Sequence, residues 1–520
     1  MIFRKLLLAA ALLLPTGAAA EWKKAESNHF IVYGEIGEER LRAMALRLEK
    51  LHLTQATMTG LVNEPKTIKV KVYVVDSFDD VQRTMPFPRQ GVAGYYSATP
   101  RGPYTVISTE SNANQGFSSR LVLFHELTHH FMFQYFNATY PLWYVEGFAD
   151  FIGTTNIKDD SNTVRMGDAS ASRYLTFATT SWYPIRKLLE ARSYDDLGER
   201  VDIIYAEGWL LTHYLHFGGK RDGQLEKYLT AINRGVPFAQ AASEAFGDLG
   251  KLDAELQAYS RRRNALPGRS ITFKPVSLGE AKVTPVSAAQ DAMMLHDIRL
   301  HAGVAREDAG RFADRVRRDA LRFPNDAFAQ QLRAEADYNA NDDADLNAAV
   351  DRWLAIAPQD PKAMLFDGLR KARALKAAKS TDKAAWTAAR APIVAATRIA
   401  QDDPQIFKGF YDTFVMEGVT PSAGAQKGLF RALELVPQDD ELRYQLAADF
   451  ERRGMIGDAR NTIRPAALQL PDKVRSDAEI EKDRKDREKE AIAGVPTHET
   501  AREMLNRLDK NGLQKAEAGN

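Results

Sequence analysis

The chain reads as an α+β protein: a small mixed sheet near the N-terminus, a helical region behind it, and an all-α solenoid of repeated helix pairs. Three observations predict this. Before residue 110, apolar residues alternate or run together in short segments, as strands do. From 117 to 263 they recur every three or four residues, as on a helix face. Beyond 290, prolines end helix-like stretches at a nearly constant interval.

Residues 1–20 have the pattern of a secretory signal peptide. Arg4-Lys5 precede an apolar run from Leu6 to Leu14, and Ala18-Ala19-Ala20 offer a small-residue cleavage site, so the mature chain is expected to begin at Glu21. The run is too short to span a bilayer. There is no cysteine for a lipid anchor or a disulfide, and no Arg-Arg pair of the twin-arginine kind. A periplasmic or secreted protein with no stable membrane span is expected.

Residues 21–116 form the expected α/β part. His29 to Tyr33 read as a strand. Residues 38–59 have helical periodicity through Leu41, Met44, Leu48 and Leu51. Residues 67–75 alternate and then become continuously apolar, as a strand entering a core does. Residues 91–97 and 103–109 predict a hairpin around Thr99-Pro100-Arg101-Gly102-Pro103.

Residues 117–263 form the expected helical part, with helices over 117–136 and from 141 onward. Residues 153–167 read as a hairpin or loop. Asp159 and Asp160 belong there to a solvated turn, because the EF-hand calcium spacing is missing. Residues 264–290, with Pro267, Pro275 and Pro285 and little periodicity, are expected to be a linker.

Residues 291–471 are read as tetratricopeptide-like repeats. Pro324, Pro358, Pro404, Pro437 and Pro471 are separated by 34, 46, 33 and 34 residues, and the long interval leaves room for a 12-residue insertion near Lys376–Trp386. Segment 440–471 fits best, with Leu446, Ala447 and Phe450 on a first helix and Ala459 and Ala466 on a second, although Pro465 should kink that second helix. Residues 472–520 comprise a charged helix and a closing helix over 501–508. Thr500 and Glu503 have the spacing of a capping box there, and the last twelve residues are expected to fray.

The chain has 70 basic and 69 acidic residues; without Arg4 and Lys5 of the leader the basic count is 68. So even a balance gives no electrostatic footprint for nucleic acid or an anionic membrane. Apolar residues make up 44%, enough for real cores in a chain long enough for several domains.

The chemistry concentrates in His125-Glu126-Leu127-Thr128-His129 and in Glu146, seventeen residues further on. Positions i and i+4 share a helix face, so His125 and His129 can reach one metal ion. Glu126 stands beside the open position, where it can take a proton from water. Catalytic zinc takes three protein ligands, and Glu146 can be the third, because Tyr140-Pro141 supplies a turn that returns a second helix. Apolar flanks, Leu121 to Phe124 and Phe131 to Phe133, imply a buried helix, and buried histidines need partners. His130 points about 100° away from the metal face.

His125-Glu126-x-x-His129 with Glu146-Gly147-x-Ala149 resembles the gluzincin zinc metallopeptidases, most closely the peptidase-MA-like group related to the M1 aminopeptidases. The resemblance covers about residues 27–260. It implies one Zn²⁺ per chain on His125, His129 and Glu146, with Glu126 as general base. Asp150 stands where gluzincins carry an acidic residue that hydrogen-bonds a ligand histidine. Ile204-Tyr205-Ala206-Glu207-Gly208 resembles the M1 Tyr-Glu-Lys-Gly segment, whose tyrosine stabilises the oxyanion; Tyr205 lies 59 residues past Glu146. The bare residue can equally be read as aromatic packing, with His213 as an alternative donor. The Gly-x-Met-Glu-Asn segment that anchors a free amine in M1 enzymes is missing upstream of His125, which favours an endopeptidase in which an edge strand pairs with an extended peptide.

The first expectation is therefore an exported zinc endopeptidase whose repeats hold a protein partner or the substrate chain. The second is a catalytically silent, zinc-containing scaffold of the cell envelope. The third is a zinc hydrolase acting on esters or other amides.

Overall fold

A computed structural model of the chain describes residues 21–518 apart from 86–91, 111–117, 160, 169–172, 174, 177–178, 262–265, 267, 275–276, 470–475, 477, 480, 483–484 and 486–498. The expected leader, Asp160, Pro267, Pro275, Pro471 and most of the charged run 472–492 lie outside the described residues.

The α+β class holds. Strands β1 (Lys23–Glu26), β2 (Phe30–Gly34), β3 (Val70–Val75), β4 (Gly94–Thr99) and β5 (Gly102–Ser108) join β9 (Lys282–Pro285) in a six-stranded sheet of order β4-β5-β3-β2-β1-β9. β2, β3 and β5 run parallel, and the outer pairs are antiparallel. Both faces of the centre are covered, which is why β3 becomes a continuous apolar run. Val72 and Val74 face helices α1 (Glu38–Thr59) and α3 (Ser119–Tyr135) through Leu41, Leu48 and Leu127. Tyr73 and Val75 face α2 (Phe78–Thr84) and α10 (Ala288–Ala302) through Val81, Met294 and Ile298. The hairpin leaves β4 at the open edge of the sheet, beside α3.

Next come α4 (Leu142–Gly153), the short hairpin β6 (Asn156–Ile157) and β7 (Thr163–Met166), α5 (Ile185–Glu190), a 3₁₀ segment over Tyr194–Arg200, α6 (Val201–Phe217), α7 (Gln224–Asn233), α8 (Phe238–Phe246) and α9 (Leu249–Ser260). Asp159 in that hairpin turn is gripped by Arg47 at 2.7 Å and forms no part of a metal cluster among the described residues. Helix α4 is buried at every position from Glu146 to Gly153. It can touch α6 closely because glycines meet there: a Cβ on Gly147 would fall 2.3 Å from the Gly208 carbonyl.

The segment expected as a linker, 264–290, corrects that reading. It contributes β8 (Arg269–Thr272), which pairs with β7, and β9, which pairs with β1 in register Lys23↔Pro285 to Glu26↔Lys282. Helix α10 starts at Ala288, inside the same expected linker. The backbone N–H of Trp22 donates to Asp291 of α10 at 2.6 Å, so the first strand, the ninth and the first repeat helix form one unit.

Helices α11 (Ala309–Ala320), α12 (Ala327–Ala340), α13 (Asp343–Ile356), α14 (Pro361–Ala377), α15 (Lys383–Ile399), α16 (Pro404–Glu417), α17 (Ala423–Leu435), α18 (Asp440–Arg452), α19 (Ile456–Gln469) and α20 (Ala501–Ala518) follow. The spaced prolines sit just before, or at the first residue of, α12, α14, α16 and α18. Each comes with an aspartate N-cap: Asp326, Asp360, Asp403 and Asp439 accept backbone N–H bonds from the first turn. The 12 additional residues lengthen α14 and α15 to 17 residues each and widen their connection. Helix α19 runs unbroken through Pro465, where a kink was expected. Thr500 and Glu503 make the reciprocal bonds of a capping box at 2.7 and 3.2 Å, and α20 spans Ala501–Ala518, longer than the expected 501–508. No helix among the described residues is long and apolar enough to cross a membrane.

Candidate metal centre

Ser118 caps α3 by accepting from the Leu121 N–H, and the helix continues unbroken through the motif. Its geometry puts His125 and His129 one turn apart, with Nε2 atoms 3.0 Å from each other. Helix α4 brings Glu146 to the same point. Its Oε2 is 3.1 Å from His125 Nε2 and 3.7 Å from His129 Nε2. Bonds of about 2.0–2.2 Å at tetrahedral angles would place ligand atoms about 3.3–3.6 Å apart, close to the separations here, so the three atoms suit one small ion.

The hydrogen bonds define the donor set. Asp150 Oδ1 is 2.8 Å from His125 Nδ1, and a carboxylate only accepts, so Nδ1 carries the hydrogen. The Nε2 of neutral His125 then offers a lone pair to Glu146 Oε2, itself an acceptor, and two facing acceptors need a cation or a proton between them. When a proton takes that place, burial opposes the charge on His125, yet the bonds to Asp150 and Glu146 outweigh burial and push its pKa up to about 10. Burial holds His129 neutral, down to about 4, despite the pull of Glu146. Burial also works against ionised Glu146, but its two histidine neighbours, His129 and the hydrogen-bonded His125, bring it down to about 2. Two imidazoles and an anionic carboxylate are a donor set that fits a divalent metal ion.

Glu126 lies beside these atoms. Its Oε2 accepts the backbone N–H of Tyr96, on edge strand β4, at 2.9 Å. Burial raises its pKa to about 7, helped by Glu146 and opposed by His125 and the Tyr96 N–H. A carboxylate tuned to neutrality suits proton transfer.

Tyr205, on α6, reaches the site from the Gly147–Gly208 crossing, with its ring centroid 6.1 Å from that of His125. His125, Glu126, His129, Glu146, Asp150 and Tyr205 are therefore brought together. His213 is not: it is fully buried, bonded to the Tyr259 hydroxyl at 2.9 Å and packed on Trp209. His130 also turns away and bonds the Tyr96 hydroxyl at 3.0 Å.

Sequence reasoning missed two supports of the ligands. Tyr194 donates its hydroxyl to Glu146 Oε1 at 2.7 Å and so steadies that carboxylate. Arg173 pairs with the second oxygen of Asp150, and its guanidinium lies 4.9 Å over the Tyr205 ring. Neither residue belongs to a recognisable local pattern. The cavity here, of about 420 Å³, is also lined by Gln438, Asp440 and Arg443 from the helical repeats.

A second group, His29, His52 and Glu64, also has ligand atoms close enough to hold one ion. Its geometry favours protons. The two rings stack at 4.0 Å with planes 19° apart, so their in-plane lone pairs run side by side instead of converging. Each Glu64 oxygen takes one histidine, at 3.2 and 3.0 Å. His29 Nδ1 is held by Glu49 at 2.6 Å.

No protein-family model matches the chain, and no curated protein matches it.

Proposed function

We propose that the chain is a zinc-dependent peptidase, and an endopeptidase. One observation carries the reading: the ligand atoms of His125, His129 and Glu146 converge beside a cavity that His129 and Glu146 line, and Glu126, in the same lining, is held by the main chain of an open-edged strand. His125, His129 and Glu146 would hold the metal, whose charge lowers the pKa of water and polarises a carbonyl. Glu126 takes the proton of the attacking water and returns it to the leaving nitrogen. Asp150, anchored by Arg173, keeps the His125 hydrogen on Nδ1 and so directs Nε2 inward. The Tyr205 hydroxyl donates to the oxygen on which charge develops. Edge strand β4 offers Tyr96, Ser97 and Ala98 to the cavity, where an extended peptide can add as another strand.

The test is metal content and peptide cleavage of residues 21–520, for the parent protein and for Glu126→Gln. About one zinc per chain in both, with cleavage only by the parent, is the expected result. Cleavage that persists in Glu126→Gln would remove the assigned base. Zinc in both and cleavage in neither would transfer the reading to a silent scaffold.

A further inference from the structure

A larger cavity, of about 800 Å³, lies between the turn of the β4–β5 hairpin and helices α12, α14, α16 and α18. Ser97, Ala98, Gln438 and Asp440 line both it and the cavity at the metal centre, so the two spaces meet at these four residues.

Residues that line the larger cavity carry buried acceptors that lack donors. Glu335 Oε2, Gln438 Oε1 and Gln445 Oε1 have no hydrogen-bond partner among the described residues, and Glu335 and Gln445 are only 5% and 8% exposed. The amide orientations follow from their partners. Gln445 Nε2 faces the Glu441 carboxylate, which can only accept. Gln438 Nε2 faces Gln134 Oε1, while Gln134 donates its own Nε2–H to the Leu435 carbonyl. Oxygen is therefore what each side chain leaves unpaired. His301 adds a fourth: its Nε2–H donates to the Gly102 carbonyl, so the partnerless Nδ1 of the neutral ring is a lone pair.

A buried acceptor without a donor is costly, and four of the same polarity around one groove call for a ligand rich in N–H groups. The charge agrees. Glu335, Asp412, Asp439, Asp440 and Glu441 line the groove against Arg101, Lys376, Lys408 and Arg452, and Arg101 and Lys408 are each paired with two carboxylates, Asp297 and Glu335 for the first and Asp412 and Glu441 for the second.

We propose that this groove is the distal binding site of the substrate: an unfolded, extended polypeptide with Lys or Arg residues remote from the scissile bond. This rests on the peptidase reading of the metal centre. The chain passes from the metal cavity by Ser97 and Gln438 into the groove. Its main-chain N–H groups meet Gln438 and Gln445, and a basic side chain meets Glu335. On this view the repeats are part of the substrate site and no separate adaptor.

The test uses the full chain carrying Glu126→Gln and a fluorescent, Lys- and Arg-containing unfolded peptide of about 18 residues, ~60 Å when extended. Anisotropy gives its Kd. Val415→Trp puts bulk into the groove from a position 54% exposed, and Gln445→Leu removes one acceptor. Each should weaken binding about tenfold, as expected for about 1.4 kcal/mol. Val419→Trp, exposed on the same segment but outside the groove, should bind like the parent. An acidic peptide of equal length should bind more weakly. Equal Kd values for all four proteins would overturn the groove, and equal Kd values for the two peptides would overturn its preference for basic chains. Hydrolysis of a peptide of about six residues by the chain with Glu126 intact is measured separately. Its failure would end the peptidase reading, while the binding series would still decide the groove.

Discussion

Gly147 and Gly208 touch backbone to backbone where α4 crosses α6, and that contact sets the separation between Glu146 and Tyr205. A Cβ on Gly147 would come 2.3 Å from the Gly208 carbonyl carbon and oxygen, and one on Gly208 would come 2.7 Å from the Trp143 carbonyl. No flexible side chain there can give way. Gly147→Ala should destabilise the protein by about 3 kcal/mol or more and weaken metal binding, because Glu146 must move with the helix. Gly310, in α11 with open space around it, is the matched control: Gly310→Ala should be stabilising by up to about 1 kcal/mol. Thermal melts of both variants check the pair.

Asp150 holds His125, and on the proposed reading it would act on the metal through that histidine. Asp150→Asn can offer its amide N–H to Nδ1 and so release the tautomer, and it removes the carboxylate that Arg173 holds. Metal affinity should fall about 10- to 100-fold, read by competition with a chromogenic chelator. An unchanged affinity would make Asp150 a packing residue.

The two tyrosines should separate by what they change. Tyr194→Phe loses a hydrogen bond to a ligand carboxylate and should weaken metal binding several-fold, as about 1 kcal/mol implies. Tyr205→Phe should lower kcat and leave metal affinity alone. If both variants change only metal affinity, Tyr205 has no part in holding the oxyanion.

The His29 cluster gives a pH dependence whose direction follows from its partners. Burial disfavours charge on His29, but the bonds from Glu49 and Glu64 raise its pKa to about 9, above the ordinary 6.5. The stability it contributes is complete below about pH 6.5 and disappears as pH rises through about 9. Glu64 and Glu49 are held below the usual carboxylate value of 4.5, overcoming burial through their histidine bonds, so their contribution is present above pH 4.5 and is lost on acidification below it. His52, Tyr135 and Ser27 complete the surroundings. His29→Gln should cost of order 2 kcal/mol near pH 6, after allowance for partial exposure of the ring, and much less at pH 10. Denaturant melts at the two pH values check this; an equal cost at both would remove charge from the explanation.

The parts of the molecule legible in the sequence are those governed by short-range pattern. Helix α1 matches its periodicity from 38 to 59 because one apolar face is enough to define it. The ligands could be read because helix geometry alone relates His125 to His129, and Asp150 because it follows Glu146 by one turn. What stayed hidden depends on distant partners. β1 is Lys23-Lys24-Ala25-Glu26 and β9 is Lys282-Val283-Thr284-Pro285; each is four residues without a continuous apolar run, and β9 is a strand because β1, itself paired with β2, offers it an edge. Tyr194 gains its role from a hydroxyl that reaches across 48 positions, and Gln438 reaches the metal cavity only because the repeats fold back over the hairpin. The prolines showed the period of the repeats, while the aspartate caps beside them, which start each pair, form the clearer signal in retrospect.

The pairing of β9 with β1 bears on how this chain can be dissected. A fragment ending near residue 263 would lose the strand that covers β1, and with it α10, whose Met294 and Ile298 seal one face of the sheet. Such a fragment would present an uncapped row of N–H and C=O groups beside a bare apolar face, the combination that drives edge-to-edge self-association. The half that carries the candidate metal centre is thus no detachable cassette. Its solubility as an independent piece requires at least the residues through Ala302, and trimming experiments that stop earlier would report aggregation of an unfinished sheet.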